Sequence, residues 1–284
     1  MNSRMPMSRI NGAAGGQVAV TDRGLLFGDG VFETLAVRDA RPCFWARHMA
    51  RLQAGCHRLA IAAVDEVQLR AEVEQLLQAA PVAAQYVLKI IITRGTGTRG
   101  YRPEPHAVPT RIVQLHDWPD MASGAAGIRA TLCSLRLGNN PLLAGIKHLN
   151  RLEQVMARSE WDDPDIREGL LLDQAGRVIE GTMSNLFLVK DGVLSTPDLA
   201  RCGVAGIMRD VVLELAGQQG VTARVTDIGL DSVFQADELF VCNSLLGIWP
   251  VIAVNSNRYP RGAVTVGLQA RLQGYADDSH TWRA

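Results

Sequence analysis

Several features that identify common classes of protein are missing from this sequence of 284 residues. Lys plus Arg and Asp plus Glu both number 29, so the formal net charge is zero, whereas nucleic-acid-binding proteins normally carry a clustered basic excess. No apolar run approaches the roughly 18 residues that cross a bilayer. The starting segment MNSRMPMSRINGAAGG lacks the apolar stretch of a secretory signal. We therefore expect a globular cytoplasmic protein that binds neither nucleic acid nor membrane.

Cysteine and histidine form no recognisable pattern either. The five cysteines are widely spaced and odd in number, and they include no CxxC pair, so neither a disulfide framework nor a zinc site follows. The six histidines include no HExxH or similar spacing. The sequence predicts no metal site.

Lysine is the scarcest charged residue. Of the 29 basic residues only Lys89, Lys147 and Lys190 are lysine. A lysine amine, unlike a guanidinium, can lose its proton and attack a carbonyl. Lys147 lies among the apolar and small residues of LLAGIKHLN, where desolvation can lower the pKa of an amine. The same residues would also fit an ordinary surface lysine at the start of a helix. Lys190 lies in a predicted turn, which is typical of a surface lysine. Lys89 lies on an apolar strand and could be either a reactive or a structural lysine.

The spacing of apolar residues predicts helices interleaved with a larger number of strands. Helices are expected over 46–59, 65–79 (with Asp65 as N-cap), 150–161 and 206–216. Strands are expected over 31–37, 86–93, 111–115, 128–137 and 238–242, with hairpins that turn at 174–176 and 190–192. Residues 116–127 contain a proline and two glycines and lack periodicity. They are the expected linker between an α+β domain over 1–115 and a second over 128–284.

A glycine-rich segment, Gly95–Gly100, matches the pattern GxGxxG directly after a predicted strand. A dinucleotide site also needs a helix to begin there, and Pro103 and Pro105 exclude a regular helix. We interpret the segment as a loop rather than a nicotinamide site. Arginines at 94, 99 and 102 would suit an anionic substrate.

Three other polar segments fit either a binding site or ordinary structure. Glu180 is followed by Thr182, Ser184 and Asn185, which either present a carboxylate to a buried ligand or form a turn. The helix entered through Gly206 would expose backbone N–H groups that bind anions, or would be a plain helix start. Ser244 follows the predicted strand over 238–242 and offers a hydroxyl donor.

Taken together, these segments resemble one family. Their order along the chain is similar to that of the fold-type IV pyridoxal-phosphate enzymes, which comprise branched-chain and D-amino-acid aminotransferases and aminodeoxychorismate lyases. The segments are DRGLLFGDGVFET (22–34), HMARL (48–52), Lys147, Glu180 with Ser184–Leu186, and GIMR (206–209). The resemblance implies a two-lobed α+β fold, with a small N-terminal α/β lobe and a larger C-terminal lobe of mainly β core and flanking helices. It also implies a homodimer.

The resemblance assigns each segment a role toward pyridoxal 5'-phosphate. Lys147 matches the lysine that bonds covalently to the cofactor, and Glu180 matches the carboxylate that keeps the pyridine nitrogen protonated. The cofactor phosphate would be held by Arg51, the backbone N–H groups of Ile207 and Met208, and the Ser244 hydroxyl. No tyrosine occurs in 148–154 to bond the phenolic oxygen, so this role is unassigned, and Asn150 is a candidate for it.

Within the family, GIKHLNRLEQ (145–154) and RGTGTRGY (94–101) are most similar to the lyases. That similarity implies conversion of 4-amino-4-deoxychorismate to 4-aminobenzoate and pyruvate by aldimine formation, removal of the C4 proton by Lys147 and elimination of enolpyruvate. The Thr34 hydroxyl would relay a proton to the departing group. Arg94, Arg99 and Tyr101 would bind the two carboxylates of this small-molecule substrate.

The main alternative is an aminotransferase that acts on D-amino acids or branched-chain amino acids. It would use the same Lys147, Glu180 and Arg51, so these residues do not separate the two activities. Thr34 and the segment after Lys147 favour the lyase. A non-catalytic protein would not need this complete set of cofactor-binding residues.

Overall fold

The described part of the chain forms two compact units. The computed structural model describes residues 7–81, 83, 85–273 and 275. The first unit contains the described residues up to Pro119 and the segment Ile146–Asn150; the second contains Asp120–Gly145 and Arg151–Tyr275. Two α+β lobes are thus confirmed. The sequence did not indicate that Ile146–Asn150 groups with the first unit, and the linker at residues 116–127 stays a prediction.

The first unit has a six-stranded sheet with the order β2-β1-β6-β5-β3-β4. Strands β3, β5 and β6 are antiparallel neighbours in continuous register. The strands are β1 (Met7–Ile10), β2 (Ala13–Ala14), β3 (Gly30–Arg38), β4 (Arg41–Pro42), β5 (Gln85–Thr93) and β6 (Thr110–Asp117). The helices are α1 (Arg23–Phe27), α2 (Trp45–Arg58) and α3 (Glu66–Ala79).

One face of this sheet carries the apolar core of the unit. Alternate residues of a strand point to opposite faces. Residues of β3, β5 and β6 on the core face therefore pack with apolar residues of α2 and α3, in a buried cluster that includes Val31, Leu35, Leu88, Leu52 and Val73. The helical spacing read from the sequence is confirmed for both helices. The opposite face of β3 carries Phe32 and Thr34.

The predicted start of α3 is also confirmed. The Asp65 carboxylate accepts hydrogen bonds from the backbone N–H groups of Val67 and Gln68. These bonds satisfy two donors that the first turn of a helix cannot pair internally.

The second unit is built on a nine-stranded sheet. Its main order is β12-β11-β10-β13-β14-β7-β8-β9, and β15 pairs with β14. The strands are β7 (Ile128–Leu137), β8 (Ile166–Asp173), β9 (Val178–Gly181), β10 (Asn185–Lys190), β11 (Val193–Pro197), β12 (Ala223–Thr226), β13 (Glu238–Asn243), β14 (Gly247–Val254) and β15 (Asn257–Arg258). The helices are α4 (Leu152–Arg158), α5 (Ile207–Gln218), α6 (Leu230–Phe234) and α7 (Ala263–Gln273), with a 3-10 turn over Ala122–Ala126.

Both predicted hairpins of this unit are present. Strands β8 and β9 are antiparallel around residues 174–177, and β10 and β11 are antiparallel around Asp191 and Gly192. Asp191 and Gly192 both have positive φ, as a two-residue hairpin turn requires. Helix α4 is shorter than the predicted 150–161. None of the helices in the described ranges is long and apolar enough to span a membrane.

Candidate active site

The segment that carries Lys147 is attached to the outer edge of β3. The Phe32 N–H donates to the Lys147 carbonyl at 3.0 Å, and the Leu149 N–H donates to the Gly30 carbonyl at 2.9 Å. A Cβ at Gly30 would lie 2.7 Å from Leu149 Cδ1 and 2.4 Å from the Ile92 carbonyl, so only glycine permits this approach. The Lys147 Nζ lies 4.5 Å from the centroid of the Phe32 ring. The backbone of β3 therefore fixes the position of the Lys147 backbone, from which the side chain extends.

A buried ionic cluster lies on the core face of the same strand. The Glu33 carboxylate accepts from Arg51 Nε at 2.8 Å and Arg51 Nη2 at 2.5 Å, and it contacts His48 Nδ1 at 2.6 Å. Burial alone would raise the pKa of Glu33, but the charges and hydrogen bonds of Arg51 and His48 lower it to about 2. Glu33 is thus ionised at neutral pH and fixes one edge of the Arg51 guanidinium. The contact of Arg51 with a cofactor phosphate stays a prediction.

His48 belongs to this cluster rather than to the surface. Its side chain is fully buried, and burial lowers its pKa although the Glu33 carboxylate opposes the shift. From the sequence, His48 had no role of its own beyond its place in the segment HMARL. The spacing HMAR does place His48 and Arg51 on one side of a helix, which is the signal that could have linked them.

In the second unit Glu180 lies near the end of β9, with little exposure. The Val204 N–H donates to Glu180 Oε2 at 2.8 Å. Gly203 makes this possible, because it has a φ of +86° and a Cβ there would lie 2.8 Å from Ile179 Cγ2 and 3.2 Å from Glu180 Oε2. Arg151 is close enough that Glu180 affects it: burial lowers the pKa of Arg151, and the Glu180 charge opposes that shift.

The turn that follows Glu180 is organised by a second buried carboxylate, Glu168, which the sequence did not single out. It accepts from the Thr182 hydroxyl and N–H at 2.5 and 2.9 Å and from the Ser184 hydroxyl at 2.6 Å. Burial raises the pKa of Glu168 although these hydrogen bonds oppose the shift. Thr182 and Ser184 therefore hold the turn in place through Glu168.

The start of α5 offers backbone donors, as the sequence predicts. Gly206 is the N-cap, and no side chain caps the helix. A Cβ at Gly206 would lie 2.0 Å from Asn185 Oδ1, so a larger residue could not enter the helix here. The N–H groups of Ile207 and Met208 lie in the first turn of a helix of 12 residues, where the helix dipole favours an anion.

Ser244 lies half-buried in the turn after β13. Asn243 organises this turn, because its Oδ1 accepts from the N–H groups of Leu245 and Leu246. Its Nδ2 donates to the Met183 carbonyl at 3.0 Å and so connects the turn to the segment that follows Glu180. The second unit thus brings together the turns that contain Ser244 and Thr182. Their contact with a cofactor stays a prediction.

The three residues expected to bind substrate carboxylates are in different situations. The Arg94 guanidinium forms two hydrogen bonds with Asp29, at 2.7 and 3.0 Å, and donates to the carbonyls of Leu59 and Ala60 at 2.7 Å. Four of its five N–H groups thus have protein acceptors. Arg99 and Tyr101 are exposed, and the Tyr101 ring lies 5.4 Å from that of Phe27.

The glycine-rich segment is a loop, as predicted. Residues 96–109, all of which the structure describes, contain no helix that could direct its N-terminus at a pyrophosphate. Gly95 has a φ of +92°, and a Cβ there would lie 1.9 Å from the Val108 carbonyl. This glycine serves the close packing of two chain segments.

Comparison with known proteins identifies the family. The model of the amino-transferase class IV family matches residues 30–254. The aminodeoxychorismate lyase of Vibrio harveyi is 36% identical over 269 residues, which are 93% of this chain and 98% of that protein. A putative branched-chain-amino-acid aminotransferase of Methanocaldococcus jannaschii is 32% identical and covers 90% of both chains.

A solved structure is more similar still. The crystal structure of 4-amino-4-deoxychorismate lyase from Pseudomonas aeruginosa is 47% identical and superimposes with a TM-score of 0.89, over 94% of this chain and 98% of that one. The two-lobed α+β architecture expected from the sequence is thus confirmed. The chain belongs to the class IV aminotransferase family.

Proposed function

We propose that the chain is a pyridoxal-phosphate-dependent lyase that converts 4-amino-4-deoxychorismate to 4-aminobenzoate and pyruvate. Lyases of this name are 36% and 47% identical to the chain over almost its whole length, whereas the aminotransferase reported above is 32% identical. Since an aminotransferase would share Lys147 and Glu180, residues outside the cofactor contacts must distinguish the two activities.

The placement of Lys147 over the Phe32 ring, on the face of β3 that also carries Thr34, is the observation that carries the proposal. Phe32 and Thr34 are two residues apart on β3, so their side chains share a face. Lys147 Nζ lies over the Phe32 ring. An amine that removes a proton and a hydroxyl that delivers one are therefore available on the same face of one strand. An aminotransferase releases no enolpyruvate and has no need for the hydroxyl.

The described residues fit pyridoxal phosphate. The buried Glu180 carboxylate suits a protonated pyridine nitrogen, while the first turn of α5, Arg51 and the Ser244 hydroxyl are donors that suit the phosphate. Lys147 supplies the amine that bonds to an aldehyde. When bound, pyridoxal phosphate provides an electron sink for the charge left by proton removal.

The reaction then needs one proton transfer to the chain and one from it. Lys147 takes the proton from C4 of the substrate, and the C3–O bond breaks as the ring becomes aromatic. The Thr34 hydroxyl relays a proton from the protonated Lys147 amine to the oxygen of the departing enolpyruvate, and the released enol then tautomerises to pyruvate. Arg99 and Tyr101 remain proposed ligands of the substrate carboxylates, while the bonds of Arg94 to Asp29 favour a structural role for it.

The two activities are separated by a paired assay on the cofactor-loaded protein. Aminodeoxychorismate made enzymatically should yield equal amounts of 4-aminobenzoate and pyruvate. D-alanine or L-leucine with 2-oxoglutarate should yield negligible glutamate. Rapid transamination without release of 4-aminobenzoate would replace the lyase with an aminotransferase.

The role of Thr34 is tested by changing its hydroxyl. Thr34→Val keeps the shape of the side chain but removes the proton donor, so lyase turnover should fall by roughly 100-fold. The visible absorbance of the bound cofactor should be unchanged, because Thr34 is not assigned to the cofactor. Thr34→Ser, the matched control, should retain most of the turnover. Equal turnover of the valine and wild-type proteins would exclude Thr34 from proton transfer.

We also propose that the protein is a cytoplasmic homodimer. Three residues of α4 at helical spacing, Leu152, Val155 and Met156, are 57–70% exposed, and Leu142 nearby in the sequence is 81% exposed. An apolar surface of this kind on one unit is typical of a protein interface. All five cysteines are buried and none forms a disulfide, as expected in a reducing compartment.

The dimer is tested by sedimentation. The wild-type protein should sediment as a dimer, and Met156→Glu should shift it toward the monomer, because the charge would be buried in the interface. Gln75→Glu, on the exposed side of α3, is the control and should leave the dimer intact. A dimer that tolerates the glutamate at 156 would place the interface elsewhere, and a wild-type monomer would contradict the proposal itself.

A further inference from the structure

The glycine-rich segment Gly95–Gly100 has no function in the site described so far. Since it is not a nicotinamide site, its three glycines need another explanation, and the packing of Gly95 against the Val108 carbonyl accounts for only the first of them. The segment contains Arg99 and leads directly into Tyr101, both of which are exposed and are proposed ligands of the substrate carboxylates. Whatever holds this segment in shape therefore affects substrate binding.

The segment encloses the guanidinium of Arg23. Arg23 Nη1 donates to the Gly100 carbonyl at 3.0 Å, and Arg23 Nη2 donates to the Tyr101 carbonyl at 2.7 Å. The arginine is only 3% exposed, although it lies in the five-residue helix α1. Arginine is almost never buried to this extent unless its charge is paired.

Asp29 compensates the buried charge of Arg23. Asp29 Oδ2 accepts from Arg23 Nε at 2.9 Å, and Arg94 donates to both oxygens of the same carboxylate. Burial alone would raise the pKa of Asp29, but the hydrogen bonds and charges of the two arginines lower it. Asp29 is thus ionised at neutral pH, and it holds the Nε of Arg23 while the two Nη groups bond to the glycine-rich segment.

The two remaining glycines suit this enclosed guanidinium. A Cβ at Gly97 would lie 3.0 Å from Arg23 Cδ, so a side chain there would press on the stem of the arginine. Gly100 has a φ of +108° and open space around it, so its backbone conformation rather than its packing favours glycine. Both glycines therefore allow the chain to close around Arg23.

Backbone pairing fixes only the start of the segment. The Arg23 N–H donates to the Gly95 carbonyl at 2.8 Å, and the Gly97 N–H donates to the Thr21 carbonyl at 3.1 Å. Within the described ranges, the carbonyls of Gly100 and Tyr101 accept hydrogen bonds from Arg23 alone. The Arg23 side chain is therefore what holds the second half of the segment.

An aromatic contact extends this arrangement to the Tyr101 side chain. The Arg23 guanidinium lies 4.9 Å from the centroid of the Phe27 ring, and the Tyr101 ring lies 5.4 Å from the same ring at a tilt of 59°. Cation–π and tilted aromatic contacts of this kind are favourable. Arg23 thus influences both the backbone and the ring of Tyr101.

We infer that Arg23 is a positioning residue for substrate binding, which holds the segment Gly95–Tyr101 in the conformation that presents Arg99 and Tyr101. The inference rests on the proposed lyase activity for the identity of the substrate. Arg23 itself contacts neither substrate nor cofactor in this account. A segment that is ordered before binding loses less conformational entropy when the ligand arrives, so removing Arg23 weakens substrate binding more than it slows turnover.

The kinetic test uses Arg23→Met, which keeps the apolar stem and removes the charged donors. KM for aminodeoxychorismate should rise about 10- to 100-fold, since hydrogen bonds from a charged group contribute about 1.5–3 kcal/mol. The value of kcat should fall by less than about threefold, and the visible absorbance of the bound cofactor should be unchanged. Arg23→Lys keeps the charge but not the paired donors, so it should raise KM less, and it replaces Arg23→Met if that variant does not fold.

The matched control is Arg38→Met, which changes an exposed arginine at the end of β3 and should retain the wild-type KM. A wild-type KM in Arg23→Met, or a loss confined to kcat, would overturn the inference.

Trypsin tests the conformation of the segment without reference to activity. Cleavage of the holoenzyme after Arg99 should be about tenfold faster in Arg23→Met than in wild type, because the segment opens more often. Arg38→Met should be cleaved there at the wild-type rate. Equal cleavage of Arg23→Met and wild type would show that Arg23 does not hold the segment.

A double-mutant cycle connects the segment to the substrate. In protein that carries Arg99→Gln and Tyr101→Phe, the further change Arg23→Met should raise KM by less than about threefold, since the groups that Arg23 positions are already altered. A full further increase would mean that Arg23 acts by another route and would contradict the inference.

These measurements stay distinct from the test of the lyase itself. If wild type is an aminotransferase, faster cleavage of Arg23→Met together with a raised KM for its amino acid would contradict the lyase and keep the positioning role. Lyase turnover with cleavage and KM independent of Arg23 would do the reverse.

Discussion

The edge pairing between β3 and the segment after Gly145 determines where the chemistry can take place. Strand β4 pairs only with Val37 and Arg38, which leaves the Gly30–Phe32 end of β3 able to pair with residues 147–149. Two backbone hydrogen bonds, each of net value about 1 kcal/mol, fix this segment, and the absence of a side chain at Gly30 allows Leu149 to approach. The backbone of Lys147 is thus anchored to a strand of the sheet, and this rigid attachment favours a precisely placed amine.

Because side chains alternate along β3, one face of the sheet carries the buried ionic cluster around Glu33 and the other face carries the candidate catalytic groups. Glu33 points into the core, where it is held ionised between His48 and Arg51. Phe32 and Thr34 point to the other face, where Lys147 and Lys89 share the aromatic ring. A shift of one residue in register would exchange the two sets, so the same pairing that stabilises the unit also preserves the site.

Local patterns in the sequence predicted the local structure well. The three- and four-residue spacing of Met49, Leu52 and Cys56 predicted α2, and Asp65 predicted the start of α3. The strand Gly247–Val254 was not predicted, since the proline at its centre is more typical of strand edges. The resemblance to a family assigned roles to the candidate residues, but it could not indicate which of their side chains are already hydrogen-bonded or ion-paired within the protein.

Those partners lie far away in the sequence. Arg94 pairs with Asp29, 65 residues earlier, and Glu33 pairs with residues 15 and 18 positions later. Lys89 could be assigned to a face only when the register of β3, β5 and β6 was known. Long-range pairing of this kind has no local signal, which is why the sequence assigned substrate binding to Arg94 and left Lys89 open.

The covalent attachment of the cofactor to Lys147 is tested most directly by chemical trapping. Borohydride reduction of protein loaded with pyridoxal phosphate, followed by digestion and mass spectrometry, should place one pyridoxyl group per chain on the peptide that contains Lys147. A label on the peptides of Lys89 or Lys190, or protein that takes up no cofactor, would contradict the account.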